Sequence, residues 1–458
     1  MTGSAAGSAS ALPPGPRLPR LLQTLLIVAR PVRYLGGCRR RYGPVFQVRI
    51  VGKPPIVYAS TADAAECVYG ADKDAALRGA VREFFEPVVG ARSLVCLDGE
   101  QWARHRRLLN PLLRSRVVAG FADDIAAIAA AEIDRWPTGK PIAWHRRMDA
   151  IVLEVSLTVI FGVREEGRRE RLRGLLARLV SVSTAMMATP APVHRAVIRS
   201  PVLRRLTWLP VSRAIALRRQ VDDFLLAEIA DRHSSPDPGA HDLLSQLVRG
   251  DAGPRLTEPE MLDELMGLMG AGHHTTATAL TWAFGQLTRH QDVMARLRED
   301  LGRGREDYLD AVVMETLRVR TVVPTAMRKL ARPAALGGYA VPEGWLVTPA
   351  IPLLHTDPER WPGSGAFRPE RFRRDGDAGV SAPPEWMPFG GGLRMCIGQH
   401  LAILELKIVL REALTRVSLA GVGRMAERPR NRYSMLIPSR RARLIVTGRR
   451  KPGLCGRS

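Results

Sequence analysis

The segment Phe389-Gly390-Gly391-Gly392-Leu393-Arg394-Met395-Cys396-Ile397-Gly398 holds the residues best placed to do chemistry. Its glycines free the backbone to turn tightly and to come close to another group. They lead to a cysteine at the start of a predicted helix, where the helix dipole and unpaired N–H groups favour thiolate. A cation stands two residues before this cysteine and an aromatic ring seven before it. A second constellation, Ala271-Gly272-His273-His274-Thr275-Thr276, lies inside a helical pattern. Gly270-x-Gly272 follows no strand and lacks a third glycine, so it is not a dinucleotide loop. Adjacent histidines on a helix point about 100° apart, which argues against their sharing one metal. The remaining cysteines, Cys38, Cys67, Cys96 and Cys455, form no CxxC pair and no disulfide framework. Their odd total with Cys396, without an export signal, points to a reducing cytoplasm.

The joint spacing of Phe, Gly, Arg, Cys and Gly matches Phe-x-x-Gly-x-Arg-x-Cys-x-Gly. It resembles the haem-ligand signature of the cytochrome P450 haem-thiolate monooxygenases, and the resemblance runs along nearly the whole chain. It implies that Cys396 is the axial thiolate of a haem b, in a loop completed by Gly398. Arg394 then pairs with a haem propionate and Phe389 packs on the sulfur side of the ring. Cysteine ligation pushes electron density onto iron and favours O–O cleavage. Glu315-Thr316-Leu317-Arg318 resembles the family's Glu-x-x-Arg. That pattern alone says little here, since it also begins at Glu132, Glu165, Glu166, Glu170, Glu370 and Glu427. Position selects Glu315, ahead of a Pro369-Glu370-Arg371-Phe372 run similar to the family's Pro-Glu-Arg-Phe. Glu315, Arg318 and Arg371 are then a structural triad fixing the thiolate loop, costly to break because each removal strands a charge.

Trp102-Ala103-Arg104-His105-Arg106 resembles the family's Trp-x-x-x-Arg, which implies Trp102 and Arg106 at a propionate; Arg–carboxylate geometry gives the reason. Arg104 and Arg107 are read as a solvated basic face. Arg328 resembles, by position, the arginine of the other propionate. The Ala271–Thr275 stretch resembles the oxygen-activating Ala/Gly-Gly-x-acid-Thr element. Gly272 then permits a distortion of the helix over the haem, and Thr275 donates a hydrogen bond to bound dioxygen or its protonating water. His274 stands where an acid is usual, as in the family's sterol 14-demethylases, a likeness too short to assign a sterol substrate. It serves proton delivery, since imidazole accepts and donates near neutral pH; the competing reading is a histidine bonded to a neighbouring helix.

These residues need elements to hold them. Helical periodicity recurs at 100–115, 121–136, 148–161, 165–180, 211–232 and 257–290. The last opens on Thr257-Glu258-Pro259-Glu260, a capping box with proline in the first turn. Its length and its apolar circumference predict a helix that crosses the core. Leu21 to Arg41 reads as an amphipathic helix interrupted at Pro31. Phe46, Val48 and Ile50 alternate with Gln47 and Arg49, and Ile56–Tyr58 follows, giving a small β-region. Further strand-like pieces lie at Tyr339–Val341, Trp345–Thr348 and Leu444–Thr447, and a last helix at Ile397–Val417. The fold class is mainly α with a minor β region, the cytochrome P450 fold by resemblance. Residues 1–19 are expected to form a disordered tail, 20–448 one domain and 449–458 a basic tail.

The 458 residues carry 68 Lys+Arg against 45 Asp+Glu, a net +23, and only six of the cations are lysine. Composition excludes collagen-like, low-complexity and disulfide-scaffold classes. Such a charge attracts polyanions, acidic proteins or anionic lipid. A nucleic-acid-binding protein is one reading, but no recognised binding module is present and the arginines are dispersed. The resemblance implies instead a monooxygenase acting on a hydrophobic small molecule, with electrons from a ferredoxin or flavodoxin and its NAD(P)H reductase. A peroxide-driven peroxygenase is the alternative enzyme, disfavoured by the retained Thr275. No transmembrane anchor is predicted, because the apolar stretch Leu21–Ala29 is far short of the ~20 residues that span a bilayer. Substrate contacts are expected around Arg78–Val95 (Phe84, Phe85), Met186–Leu209 (Met186, Met187), Met266–Met269, Thr321–Thr325 (Val322, Val323) and Tyr433–Leu436. After Glu427 a run of basic residues, Arg428 to Arg457, contains no acid.

Overall fold

A computed structural model of the chain describes residues 11–70, 76–77, 82–187, 189–250, 255–373, 380–423, 427–432, 435–440 and 442–450. Tyr433, Arg441, the side chains of Phe84 and Met187, and residues 451–458 of the basic tail lie outside the described residues. The chain opens with α1 (Arg20–Ala29) and α2 (Pro31–Tyr42), broken at Pro31 because proline cannot donate to the preceding turn. Strands β1 (Val45–Val48) and β2 (Ile56–Ala59) follow as an antiparallel pair with Val45 opposite Ala59.

The helical body comprises, among others, α3 (Gly99–Leu109), α4 (Ala122–Asp134), α5 (Trp144–Val155), α6 (Glu166–Met187), α7 (Pro210–Ser234), α8 (Glu258–Leu287) and α9 (Asp307–Val319). β3 (Arg328–Leu330) and β4 (Leu346–Pro349) come next, then α10 (Gln399–Arg416), β5 (Val417–Gly421) and β6 (Arg443–Arg449). β4 lies parallel to β2 and antiparallel to β3, so one sheet carries Arg328 from the N-terminal β-region toward the helices.

The expected alternation in β1 does not become an exposed polar face. Val45, Phe46, Gln47 and Val48 are all buried. Phe46 and Val48 pack with Ile27, Leu35 and Leu353, whereas Val45 packs on the other side with Val57, Val68 and Leu330. Gln47 tolerates burial because its amide donates to the Pro13 carbonyl at 2.7 Å and its backbone N–H to that of Pro14 at 2.8 Å. Residues 11–19, expected to belong to a loose tail, therefore lie against the β-region, with Pro13 buried.

α8 crosses the core as its length predicts. The capping box forms: Glu260 N–H donates to the Thr257 hydroxyl and Thr257 N–H to the Glu260 carboxylate. Its N-terminal half packs Met261, Leu265, Met266 and Met269 against α6 and α7. Its C-terminal half packs Ala277, Leu280, Ala283, Phe284 and Leu287 against α4, α5, α9 and α10. One rigid element thus joins both core clusters, and the residues between them, Gly270 to Thr275, are the stretch free to face a cavity.

Candidate active site

A cavity of about 340 Å³ lies between that stretch of α8 and the loop before α10. Ala271, Gly272, Thr275 and Thr276 wall one side; Phe389, Gly391, Arg394, Cys396, Ile397 and Gly398 wall the other. The loop's shape follows from its glycines. Gly390 and Gly392 have φ of 74° and 67°, conformations costly for other L-residues. Gly391 is extended, but a Cβ there would stand 2.7 Å from the Tyr69 ring. The loop closes where Cys396 N–H donates to the Phe389 carbonyl at 3.0 Å.

Gly398 caps α10, so the helix begins three residues beyond the cysteine rather than at Ile397. The Cys396 side chain opens to the cavity although protein surrounds the residue. Burial pushes its thiol up, and the opposing pull of the Gly398 N–H and the Arg106 charge does not cancel that shift. The helix-terminus argument alone therefore fails to make a thiolate in the bare chain. A thiol of this kind ionises on coordinating a metal cation.

The basic residues gather at the edge of the same cavity. Arg394 lines it, stacks over Trp102 at 4.8 Å from the ring centroid, and donates to Asp98 Oδ1 at 2.6 Å and to the Leu97 carbonyl at 3.1 Å. Arg106 lies close enough to Cys396 for their charges to interact, and burial lowers its pKa. Arg328 is buried in the wall, donating to the Ala326 carbonyl at 3.1 Å beside the Tyr69 ring. A lone cysteine facing an apolar space, with arginines at its edge, fits a flat apolar macrocycle that carries an iron cation and carboxylates. Arg104 departs from its expected place on a solvated face: it reaches Glu260 at 2.7 Å and ties α3 to α8.

On the opposite wall, Thr275 donates its hydroxyl to the Ala271 carbonyl at 2.7 Å. α8 runs through Gly272 as unbroken helix. The glycine leaves the helix face open, with no atom within 4 Å of where a Cβ would sit. His274 is not among the cavity-lining residues; it turns toward α5. Its Nδ1 and the His273 Nε2 each lie 3.7 Å from Asp149 Oδ1, and His145 Nε2 lies 3.5 Å from Asp149 Oδ2.

The two neighbouring histidines therefore do converge, against the argument from helix geometry, because Asp149 of α5 sits between both ring nitrogens. The three ligating atoms lie within 4.8 Å of one another, a set able to hold a cation. Burial pushes the Asp149 carboxyl up, but His274 and the charges of His145 and His273 outweigh it and hold it down. Burial and His274 lower His273 to about 4.

Residues 12–446 match the family model described as Cytochrome P450. The chain belongs to the cytochrome P450 family. It is 36% identical to cytochrome P450 135B1 of Mycobacterium tuberculosis (strain ATCC 25618 / H37Rv) over 456 residues, covering 97% of this chain and 93% of that one. Cytochrome P450 135A1 of the same strain is 32% identical over 456 residues, covering 98% of both. Among solved structures, retinoic acid-bound cyanobacterial CYP120A1 matches with a TM-score of 0.79 and 23% identity, over 95% of this chain and 99% of that one. The cytochrome P450DA heme domain matches at 0.80 and 20%, over 96% and 98%, and these two share the fold. Membership makes the protein a haem-containing monooxygenase, and nothing supports the nucleic-acid or peroxygenase readings.

In this cytochrome P450 the scaffold triad is assembled. Arg318 Nε lies 2.7 Å from Glu315 Oε2 and Arg371 Nε 3.1 Å from Glu315 Oε1, with Glu315 and Arg318 fully buried. Arg318 also donates to the carbonyls of His355, Ser364 and Ala366 at 2.6, 3.1 and 3.2 Å.

Sequence reading missed His355, which carries that fixation onward. Its Nε2 accepts from Met387 N–H at 2.9 Å, so its Nδ1–H donates to the Thr321 hydroxyl at 3.0 Å. Burial, reinforced by the Arg318 charge, lowers it to about 3 and keeps it neutral. Glu405 was missed as well: it is buried in the cavity wall on α10, and burial raises it to about 8. Asp149 had a visible signal, the i,i+4 spacing from His145, hidden because the helix pattern was placed from 148 onward.

Of the expected substrate regions, Val322, Val323 and Thr325 do line the cavity. Met186, Met266 and Met269 are buried in the core instead, and Leu268 takes the lining position on α8. Ser156 and Ile160 enter the wall from a π-helical turn, Ser156–Ile160, a local widening common at functional sites.

Proposed function

We propose that this cytochrome P450 holds haem b between Cys396 and Thr275 and inserts one atom of dioxygen into a hydrophobic small molecule. The observation that carries this reading is the placement of Cys396 and Thr275 on facing walls of one mainly apolar cavity. Bound haem supplies the oxygen-activating redox chemistry; the chain supplies a ligand, counter-charges, a proton and an apolar enclosure. Cys396 ligates the iron, with Gly398 N–H and Arg106 stabilising its negative charge. Arg394, backed by Trp102, and Arg106 take one propionate and Arg328 the other, since guanidinium forks match carboxylates. Phe389 and Gly391, which line the cavity beside Cys396, would hold the haem on its thiolate side.

Across the cavity, rotation of the Thr275 hydroxyl from the Ala271 carbonyl would aim its proton into the cavity that Cys396 also lines. His274, next to it on the outer side of α8 and facing the Asp149 carboxylate of α5, serves the path that replaces the proton Thr275 gives up. The apolar lining from Leu113, Val152, Ile160, Leu268, Val322 and Val323 excludes water and favours an apolar substrate. Electrons come from a separate ferredoxin or flavodoxin and its NAD(P)H reductase in the cytoplasm. The net +23 attracts such acidic carriers, so reduction rates fall as salt screens the field.

The test is spectroscopic. The reduced carbon-monoxide complex of the purified protein shows the strongly red-shifted Soret band of thiolate ligation. A Cys396→Ala variant that keeps this band overturns the assignment. Low-to-high-spin shifts across a panel of apolar compounds then identify the substrate class.

A further inference from the structure

α1 faces outward in a way that a core-forming helix does not. Leu21, Leu22, Leu25 and Val28 are 63%, 41%, 57% and 53% exposed, and Leu18 just before the helix is 43% exposed. At these spacings they form one apolar stripe. The buried residues of α1 are Gln23 and Ile27. A helix buries its apolar stripe unless something holds it the other way round.

Here the polar residues do the holding. Gln23 donates to the Leu18 and Pro16 carbonyls at 2.8 and 3.2 Å and accepts from Arg49 N–H at 2.9 Å. The Thr24 hydroxyl accepts from Val51 N–H at 3.0 Å. Ile27 completes the anchor among Leu35, Phe46 and Tyr58. Rotating the leucines inward would break these bonds and take from the Arg49 and Val51 N–H groups the acceptors that satisfy them.

The charge around the stripe is equally one-sided. Residues 1–62 contain eight arginines and one lysine and not a single Asp or Glu. Arg17 and Arg20 flank the start of α1, and Arg30 and Arg33 its end, all exposed. No helix among the described residues is long and apolar enough to cross a membrane. A short helix with an apolar face, flanking arginines and no acid lies in the interface of a bilayer instead.

We propose that α1 docks this protein on an anionic phospholipid surface. Leu21, Leu22, Leu25 and Val28 enter the headgroup boundary while Arg17, Arg20, Arg30 and Arg33 pair with lipid phosphates. A self-associating apolar patch gains nothing from a ring of like charges, which repel across a two-fold interface; a negatively charged surface does gain. Docking also places the molecule where apolar compounds partition. That advantage fits the substrate reading above, but the docking argument stands without it.

The full haem-loaded chain, sedimented with phosphatidylglycerol-rich vesicles or with pure phosphatidylcholine vesicles, tests this. Binding to the anionic vesicles is expected, weaker by at least ~10-fold on the zwitterionic ones and at about 0.5 M salt. Leu21→Ser/Leu25→Ser should lower the partition coefficient by at least ~10-fold. Arg17→Gln/Arg20→Gln should lower it by about fivefold per arginine. An unchanged Soret spectrum and melting temperature check that both variants fold. The proposal is overturned if wild type does not sediment with anionic vesicles. It is equally overturned if the leucine variant binds as well as wild type, since the general basic charge then suffices. A lipid-free dimer that dissociates in the leucine variant, without vesicle binding, would assign the stripe to a second copy of the chain.

Discussion

Thr275 and Glu405 face one cavity from opposite walls, and each makes a claim at the scale of a single group. The Thr275 hydroxyl has its proton committed to a carbonyl of its own helix, a bond that costs little to exchange because Thr side chains readily bond back to the preceding turn. Thr275→Ala removes a proton donor while leaving the helix intact. The expected outcome is more peroxide and less product per electron delivered, with Thr275→Ser recovering most of the coupling; equal coupling in all three refutes the role. His274→Phe probes the outer half of the same path. If His274 and Asp149 replace the proton that Thr275 gives up, this variant too uncouples, and Asp149→Asn does so without changing side-chain volume. Full coupling in both would leave the cluster a structural contact between α5 and α8. The sequence showed His274 but not where it points, because the direction of a ring depends on a partner 125 positions away in the chain (Asp149).

At the scale of elements, the loop before α10 is held from both ends. Its glycines are fixed by backbone angle at Gly390 and Gly392 and by the Tyr69 ring at Gly391. Gly391→Ala must move either the ring or the loop, and is expected to lower haem retention. Behind the loop, Glu315, Arg318 and Arg371 join α9 to the chain that runs through His355 to Met387. Removing the Glu315 charge strands two guanidinium groups, one fully buried, so Glu315→Gln should cost about 3–5 kcal/mol. Denaturant unfolding checks that figure, and a loss under about 1 kcal/mol would contradict the buried-triad account. The motifs of this region were legible because each needs particular residue types at short spacing. α8 was legible from its capping box and its unbroken apolar run. His355 and Glu405 were not, since a single His or Glu carries no periodic signal and acquires its role only from burial. The two-sided burial of β1 was hidden for a related reason: the chain that covers Gln47 comes from a segment whose composition reads as a tail.

For the whole molecule, the buried ionisable groups set how stability responds to pH. His273 and His355 titrate near 6.5 when exposed, but in the folded chain they stay neutral down to about 4 and about 3. Between those values the unfolded chain binds the extra protons, so stability falls as pH drops below 6.5. Each group contributes about 1.4 kcal/mol per pH unit. Glu405 has the opposite sign: the folded chain keeps its proton up to about 8 whereas the unfolded chain releases it near 4.5, so stability falls as pH rises through that window. His105 adds to the decline on the alkaline side; burial opposes its protonation, but Glu264 and Glu260 outweigh burial and raise its pKa. From 4.5 to 6.5 the two histidines oppose Glu405 together with Glu264 and Asp222, whose carboxyls burial also pushes up, and above 6.5 only the falling contributions remain. The melting temperature should therefore decline as pH rises above 6.5. Glu405→Gln, which keeps shape and hydrogen-bonding capacity without a charge, should flatten the decline between pH 6.5 and 8 and steepen the rise between pH 4.5 and 6.5. His355→Asn should flatten the acid side alone. A profile in which Glu405→Gln tracks wild type across the alkaline side would show that the buried carboxyl is not held protonated in the folded protein.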